Sequence, residues 1–383
     1  MSKFIALPVG QGDAFYLEKK DLRVLVDGGK SKSAILQWMS SICRTDYLDV
    51  LVCTHNDADH ANGVAGLLEN WEGTIKEVWL PGSWTYRMKD LFAKPHIFCR
   101  ELVENICKCK DNDNVISLEG IYRRSEINKV ISDNKANEFE LGSVIEESKH
   151  FPSEFFEIFL DCPDFEPFYF DYPHRINRKH KNLFPIFWQS IEAAKNIREI
   201  TELAYHRGCK IRFFEFGNTA SGGETGKFES VYAKEIASVK AINIDALQFL
   251  SLSTANKESL VFYSPENKSE PAVLFTADSD LNFKLPAYLP RRGPIIVTSP
   301  HHGSEHNRNA YYVVNGWLNS GLFPIWIRSD CKSRNRPGTS LKKQQNRCCT
   351  LCNCGTHPKN TVKLHSRKGC WQRTKGTRWC SCK

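Results

Sequence analysis

Short apolar runs recur along this chain at strand length, separated by turn residues and by segments of helical spacing. The strand-like runs are Phe4 to Val9, Ala14 to Leu17, Leu22 to Val26, Tyr47 to Cys53, Glu77 to Leu80, Lys210 to Phe216, Ser259 to Tyr263, Ala272 to Thr276, Ile295 to Thr298 and Pro324 to Ile327. The first three make a hairpin region over residues 4–29. Helical spacing is found behind Ser33 in Ala34 to Met39, in Ala61 to Leu68, and in Ile191 to His206, which Gly208 closes. Ala246 to Leu250 is mostly apolar and turns polar from Ser251. Strands with interspersed helices predict an α/β protein of two sheets packed face to face with helices outside.

Between about residues 86 and 205 this pattern fails. Lys108 to Lys149 is polar, and Phe151 to Tyr172 is rich in Phe, Tyr and Pro. The region reads as an insertion that lids or flanks an active site. Its aromatic segment reads as packing, with base stacking as the alternative. The basic cluster from His174 to Lys181 reads as a solvated face. Asn218 to Lys227 is Gly-rich but lacks the Gly-Lys-Ser/Thr ending of a phosphate-binding loop.

Composition changes the picture at one end only. Of 15 Cys, eight lie in residues 331–383, where they suggest a metal rather than a disulfide framework. The same 53 residues hold 14 Lys and Arg and no Asp or Glu, leaving 38 basic against 44 acidic residues in the rest. The formal net charge of +8 therefore belongs to the tail, an asymmetry expected when a tail meets a polyanion. The expected division is a main domain over 1–330 and a basic Cys-rich tail over 331–383. No apolar run reaches the roughly 18 residues of a membrane span. The N-terminal residues run into a strand pattern without a secretory signal, so a cytoplasmic protein without a membrane partner is expected.

The densest chemistry is Thr54-His55-Asn56-Asp57-Ala58-Asp59-His60, between a buried strand and a helix start. Four potential metal ligands within six residues, two His and two Asp, exceed the need of one divalent cation. The simplest reading is two metals side by side, His55 and Asp57 facing one, Asp59 and His60 the other.

His-x-Asp-x-Asp-His after a buried strand resembles the signature of the metallo-β-lactamase superfamily, whose usual form is His-x-His-x-Asp-His. The Asp variant is similar to the nuclease domain of the ComEC/Rec2 DNA-uptake proteins. Three more stretches carry the resemblance: Val9-Gly10-Gln11-Gly12-Asp13-Ala14 with Val24 to Gly29, Leu274-Phe275-Thr276-Ala277-Asp278, and Ser299-Pro300-His301-His302-Gly303-Ser304. It covers about residues 4–85 and 240–330. It implies a metallo-β-lactamase-like αββα sandwich, with Asp278 as bridging carboxylate and His301 or His302 as closing ligand. Asp59 would ligate the second metal and orient a nucleophilic water, Asp13 and Asp27 would fix imidazole rings, and Ser304, Asn256 and Ser259 would stand near the site.

The sequence also departs from the family. Phe249 to Ser253 lacks a His often found there, Arg336-Pro337 stands where His-Pro is frequent, and Asp57 replaces an imidazole. The first metal site is therefore oxygen-rich, which favours Mn²⁺ over Zn²⁺. The reaction expected is hydrolysis of a nucleic-acid phosphodiester by a dinuclear centre. The alternatives are a small-molecule metallohydrolase for an ester, lactone or nucleotide, and a regulatory subunit with a weakened site. In the tail, Cys349 and Cys352 with Cys380 and Cys382 have spacings suited to a structural Zn²⁺, and Trp371 and Trp379 to base stacking. Such a module would draw its folding energy from metal, having too few aliphatic residues for a core. The alternative is a basic tail with no fixed structure and reactive thiols.

Overall fold

The computed structural model describes residues 1–109, 117–124, 131, 136–148, 183–217, 220–224, 226–285, 293–318, 322–329, 337–350, 360–380 and 382. Phe151 to Tyr172, His174 to Lys181, Arg336, Cys352, Cys354 and His357 lie outside the described residues. In chain order the strands are β1 (Lys3–Ala6), β2 (Phe15–Lys19), β3 (Leu22–Val26), β4 (Tyr47–Val52), β5 (Thr74–Pro81), β6 (Asn137–Phe139), β7 (Lys210–Phe216), β8 (Gly223–Glu224), β9 (Phe228–Ser230), β10 (Ala233–Ile236), β11 (Val239–Ala241), β12 (Phe262–Ser264), β13 (Val273–Phe275), β14 (Ile295–Thr298), β15 (Pro324–Arg328), β16 (Arg347–Cys349), β17 (Val362–Arg367) and β18 (Cys370–Arg373).

The chain divides into two units. One comprises Met1–Pro81, His206–Glu235 and Asn256–Lys383; the other comprises Gly82–Tyr205 and Ile236–Ala255. The first contains two mixed sheets. Their strand orders are β10-β7-β5-β4-β3-β2-β1-β17-β18 and β16-β15-β14-β13-β12-β9-β8. Thus the expected mixed α/β class is what the described residues form.

Alternation explains why so many strands are apolar throughout. In the second sheet Phe262, Val273, Phe275, Ile296, Ile325 and Ile327 join a core with Phe4, Phe15, Val24, Val26 and Trp79 of the first. Their neighbours in sequence, Val261, Tyr263, Ala272, Leu274, Ile295, Val297 and Trp326, face the other way and pack with Ala310, Tyr311 and Val314 of the helix Arg308–Trp317. Period-two side chains with both faces covered need apolar residues at every position. Rings cross between the sheets: Phe4 and Phe275 lie 6.0 Å apart, and Trp79 and Phe262 5.4 Å.

Strand pairing runs across the boundary expected at residue 330. β16 extends the second sheet beside β15, and β17 pairs with β1 in the first, with Lys3 opposite His365. Trp371 is buried in the shared core and its indole N–H donates to the Ala272 carbonyl at 2.8 Å. The tail thus draws on the aliphatic surface of the body, which composition counted over residues 331–383 alone does not register. A buried Trp371 is also not available for stacking on a base, whereas Trp379 is exposed.

In the second unit β6 and β11 pair. It includes the expected insertion and also residues 236–255, because the run from Ala246 forms a helix, Ala246–Ser253, that packs there. Asp245 caps this helix by accepting from the Gln248 N–H, and Phe249 meets the edge of Phe98 at 6.0 Å. Among the described residues no helix is long and apolar enough to cross a membrane.

Candidate metal centre

Most of the predicted histidines and aspartates come from the carboxyl ends of four strands of the first unit, and Asp13 lies between β1 and β2. Asp27 follows β3, His55 and Asp57 follow β4, Asp278 follows β13, and His301 and His302 follow β14. Helix α1 (Ala34–Trp38) lies between β3 and β4, and α2 (Ala58–Asn70) leaves the His55 loop with Asp59 and His60 in its first turn. Two glycine contacts seat α2. A Cβ on Gly63 would lie 1.9 Å from the Gly28 carbonyl oxygen, and one on Gly12 1.7 Å from that of Asp59. Only chains without a side chain at these points let the loop and helix approach so closely. Four residues here, Asp27, Ala277, His301 and His302, hold left-handed backbone with φ between 46° and 59°. Such conformations cost non-glycine residues about 1–3 kcal/mol each and persist where the surroundings impose them.

The two oxygens of Asp278 face different imidazoles. Oδ1 lies 3.2 Å from His60 Nε2, while Oδ2 lies 3.8 Å from His55 Nε2 and 3.5 Å from His301 Nε2. Asp57 Oδ2 stands 3.8 Å from His55 Nε2, and Asp59 Oδ2 stands 3.5 Å from His302 Nε2. Donor atoms of His55, His60 and Asp278 converge, as do those of Asp13, His60 and His302. The structure thus brings both His301 and His302 to the cluster, one on each side. His301 and His55 share an oxygen of Asp278, so a second imidazole reaches the side where Asp57 stands.

Rings are held from behind. Asp27 Oδ2 is 2.8 Å from His60 Nδ1, and Asp27 accepts from the Thr54 amide and hydroxyl, both at 2.8 Å. Asp13 Oδ1 is 3.1 Å from His302 Nδ1. Asn307, a residue the sequence reading missed, lies 3.2 Å from His301 Nδ1 and donates to the Asp278 carbonyl at 2.7 Å. Asn256 Nδ2 lies 3.4 Å from the same His301 nitrogen. Gln11 donates to Asp59 Oδ2 at 3.3 Å. No motif announces Asn307, whereas Gln11 lies inside the quoted stretch Val9 to Ala14 without having been singled out. Ser304 takes a turn role, its hydroxyl accepting from the His306 N–H.

Electrostatics follow from burying anions and imidazoles together. Burial works against charge on His60, but Asp278 and Asp27 outweigh it and raise its proton affinity well above the usual imidazole value. His302 is raised likewise against burial by Asp13 and Asp278. Burial alone would raise Asp278, yet His301, His60 and His302 hold it well below the carboxylate range. Asp59 is lowered too, the hydrogen bond and charge of His302 outweighing burial. Asp13 goes the other way, with burial prevailing over His302.

Within this field His55 Nε2 and Asp13 Oδ2 are buried without a hydrogen bond, while His60 Nε2 and Asp278 Oδ1 have only each other, at 3.2 Å. Each such atom costs about 1–3 kcal/mol unless something satisfies it. Nitrogen and oxygen donors converging with their back sides braced fit a divalent cation. The cluster could therefore hold metal. A second group that could hold metal, Cys349, Cys380 and Cys382, contains three of the four tail cysteines expected; Cys352 is the fourth.

No protein-family model matches the chain, and no curated protein matches it.

Proposed function

We propose that this protein is a metal-dependent phosphodiesterase of nucleic acids, built on a metallo-β-lactamase-like sandwich of the ComEC/Rec2 nuclease type. The observation that carries the reading is the Asp278 carboxylate, buried with one oxygen toward His60 and the other toward His55 and His301. A carboxylate so placed suits a bridge between two cations. His55, Asp57, Asp278 and His301 would hold one, and Asp59, His60, Asp278 and His302 the other. Bound there, a divalent pair supplies a hydroxide-like nucleophile at neutral pH and neutralises phosphate charge. The mixed nitrogen and oxygen donors, with Asp57 in place of an imidazole, favour Mn²⁺ over Zn²⁺.

The chain's own groups do the rest. Asp59, kept ionised by His302, accepts a hydrogen bond from the attacking water and orients it. Asp27 and Asp13 hold the His60 and His302 rings so that each Nε2 faces inward. Asp57 and His301 are partly exposed, so their side of the cluster is the one a substrate would reach. Nucleic acid is favoured as substrate by five exposed cations on and beside the β17–β18 hairpin: Arg367, Lys368, Arg373, Lys375 and Arg378.

The test is hydrolysis of labelled single- and double-stranded DNA and RNA by metal-stripped protein restored with Mn²⁺ or Zn²⁺. Cleavage that needs metal and is lost in Asp278→Asn is expected. Hydrolysis of small esters or lactones alone, with every nucleic acid intact, would overturn the nucleic-acid reading.

A further inference from the structure

β16 carries Cys348 and Cys349 next to each other in sequence but on opposite faces of its sheet. Cys348 belongs to the core that the two sheets share. Cys349 turns the other way, and there its sulfur meets those of Cys380 and Cys382, all three atoms lying within 4.8 Å of one another. The backbone fixes this meeting. The Cys380 N–H donates to the Arg347 carbonyl at 2.7 Å, and Arg347 Nη2 donates to the Cys382 carbonyl at 3.2 Å. The Cys-x-Cys segment is thereby tied to the strand that carries Cys349.

Donors also point at the sulfurs. The Cys382 N–H lies 3.4 Å from Cys380 Sγ, and Arg328 Nη1 lies 3.6 Å from Cys349 Sγ. In the metal-free chain the neighbouring Cys380 sulfur and burial push the Cys349 thiol up to about 12 against Cys382 and the Arg328 charge, so metal binding there would displace a proton. Zn–S bonds of about 2.3 Å place two sulfurs of a tetrahedral site about 3.8 Å apart. The observed cluster needs only small side-chain movement to reach that spacing.

We propose that Cys349, Cys380 and Cys382 form a thiolate site for one Zn²⁺, separate from the histidine and aspartate centre. Sulfur donors select Zn²⁺ against the hard cations that carboxylates prefer. Three sulfurs leave one tetrahedral position for a further donor. The site would clamp Cys380 and Cys382 to β16, which among the described residues pairs within its sheet on the β15 side. It would also brace the other centre, because Arg328 donates from Nε to the His302 carbonyl at 2.6 Å.

Cobalt(II) titrated into the reduced, metal-stripped full-length chain tests this. A near-ultraviolet sulfur-to-cobalt charge-transfer band should grow to saturation at about one thiolate-bound metal per chain. Cys349→Ser and Cys382→Ser should each weaken or abolish it. Asp278→Asn should leave it intact, because the other centre contains no sulfur. No such band in the wild-type chain, or a band unchanged in both serine variants, overturns the proposal. The wild-type measurement stands even if Cys349→Ser fails to fold. Failure of the phosphodiesterase reading would leave this band untouched, so the two outcomes are distinguishable.

Discussion

Asp27 Oδ2 lies 2.8 Å from His60 Nδ1, and both side chains are buried. The pair decides which way the His60 ring faces, since Nδ1 is engaged and Nε2 is left toward Asp278. Asp27→Asn should therefore act through His60. Metal affinity should fall by about 10–100-fold, the usual cost of losing such a partner. Calorimetric titration of Mn²⁺ measures it, and unchanged affinity would mean that the carboxylate has no positioning role.

Asp278→Asn keeps the shape of the side chain and removes the charge that faces three imidazoles. Metal-dependent turnover should drop by several orders of magnitude while the far-ultraviolet circular dichroism stays that of a folded protein. Asp59→Ala should do the same. Near-normal rates in either variant, with metal controlled, would sink the dinuclear reading.

Lys19 offers a pH test away from the metal centre. Its ammonium is buried, donates to the Pro265 carbonyl at 2.7 Å, and burial lowers its pKa to about 8 despite Glu270 nearby. The unfolded chain holds this proton up to a pKa of about 10.4. Between those values the unfolded state binds more protons, so this group makes stability rise with pH across about pH 8–10. The rise is at most about 3 kcal/mol. Lys19→Met should flatten it, as read from denaturant midpoints at pH 7, 8.5 and 10.

Trp371→Ala tests whether residues beyond 330 fold with the body. It removes a side chain from the core between the sheets together with its bond to Ala272. A cost of about 3–5 kcal/mol is expected, spread over one cooperative unfolding transition of the first unit. Loss of structure confined to the C-terminal residues would contradict the strand pairing described.

Arg367, Lys368 and Lys375 are exposed and lie on or beside the β17–β18 hairpin. Changing all three to Gln should weaken nucleic-acid binding and flatten its dependence on salt, with stability little affected. An unchanged salt slope would remove this hairpin from the binding surface.

The sequence by itself determined what lies close along the chain. Apolar runs located the strands, and His55, Asp57, Asp59 and His60 pointed to a site that could hold metal because four potential ligands fell in one strand-to-helix loop. Asp27 and Asp13 were legible as ring-holding carboxylates only through their motif. Tertiary structure alone decided what is remote. It set His301 and His302 on different sides of Asp278 and Asp59. It chose Cys349 over Cys348 for the sulfur cluster and placed Asn307 behind His301. It drew β16 into one sheet and β17 and β18 into the other, β17 against β1 across more than three hundred residues of chain. The reason is physical. An apolar period names the faces of a strand but not its partner, and partners are chosen by packing, which joins surfaces that sequence order keeps apart.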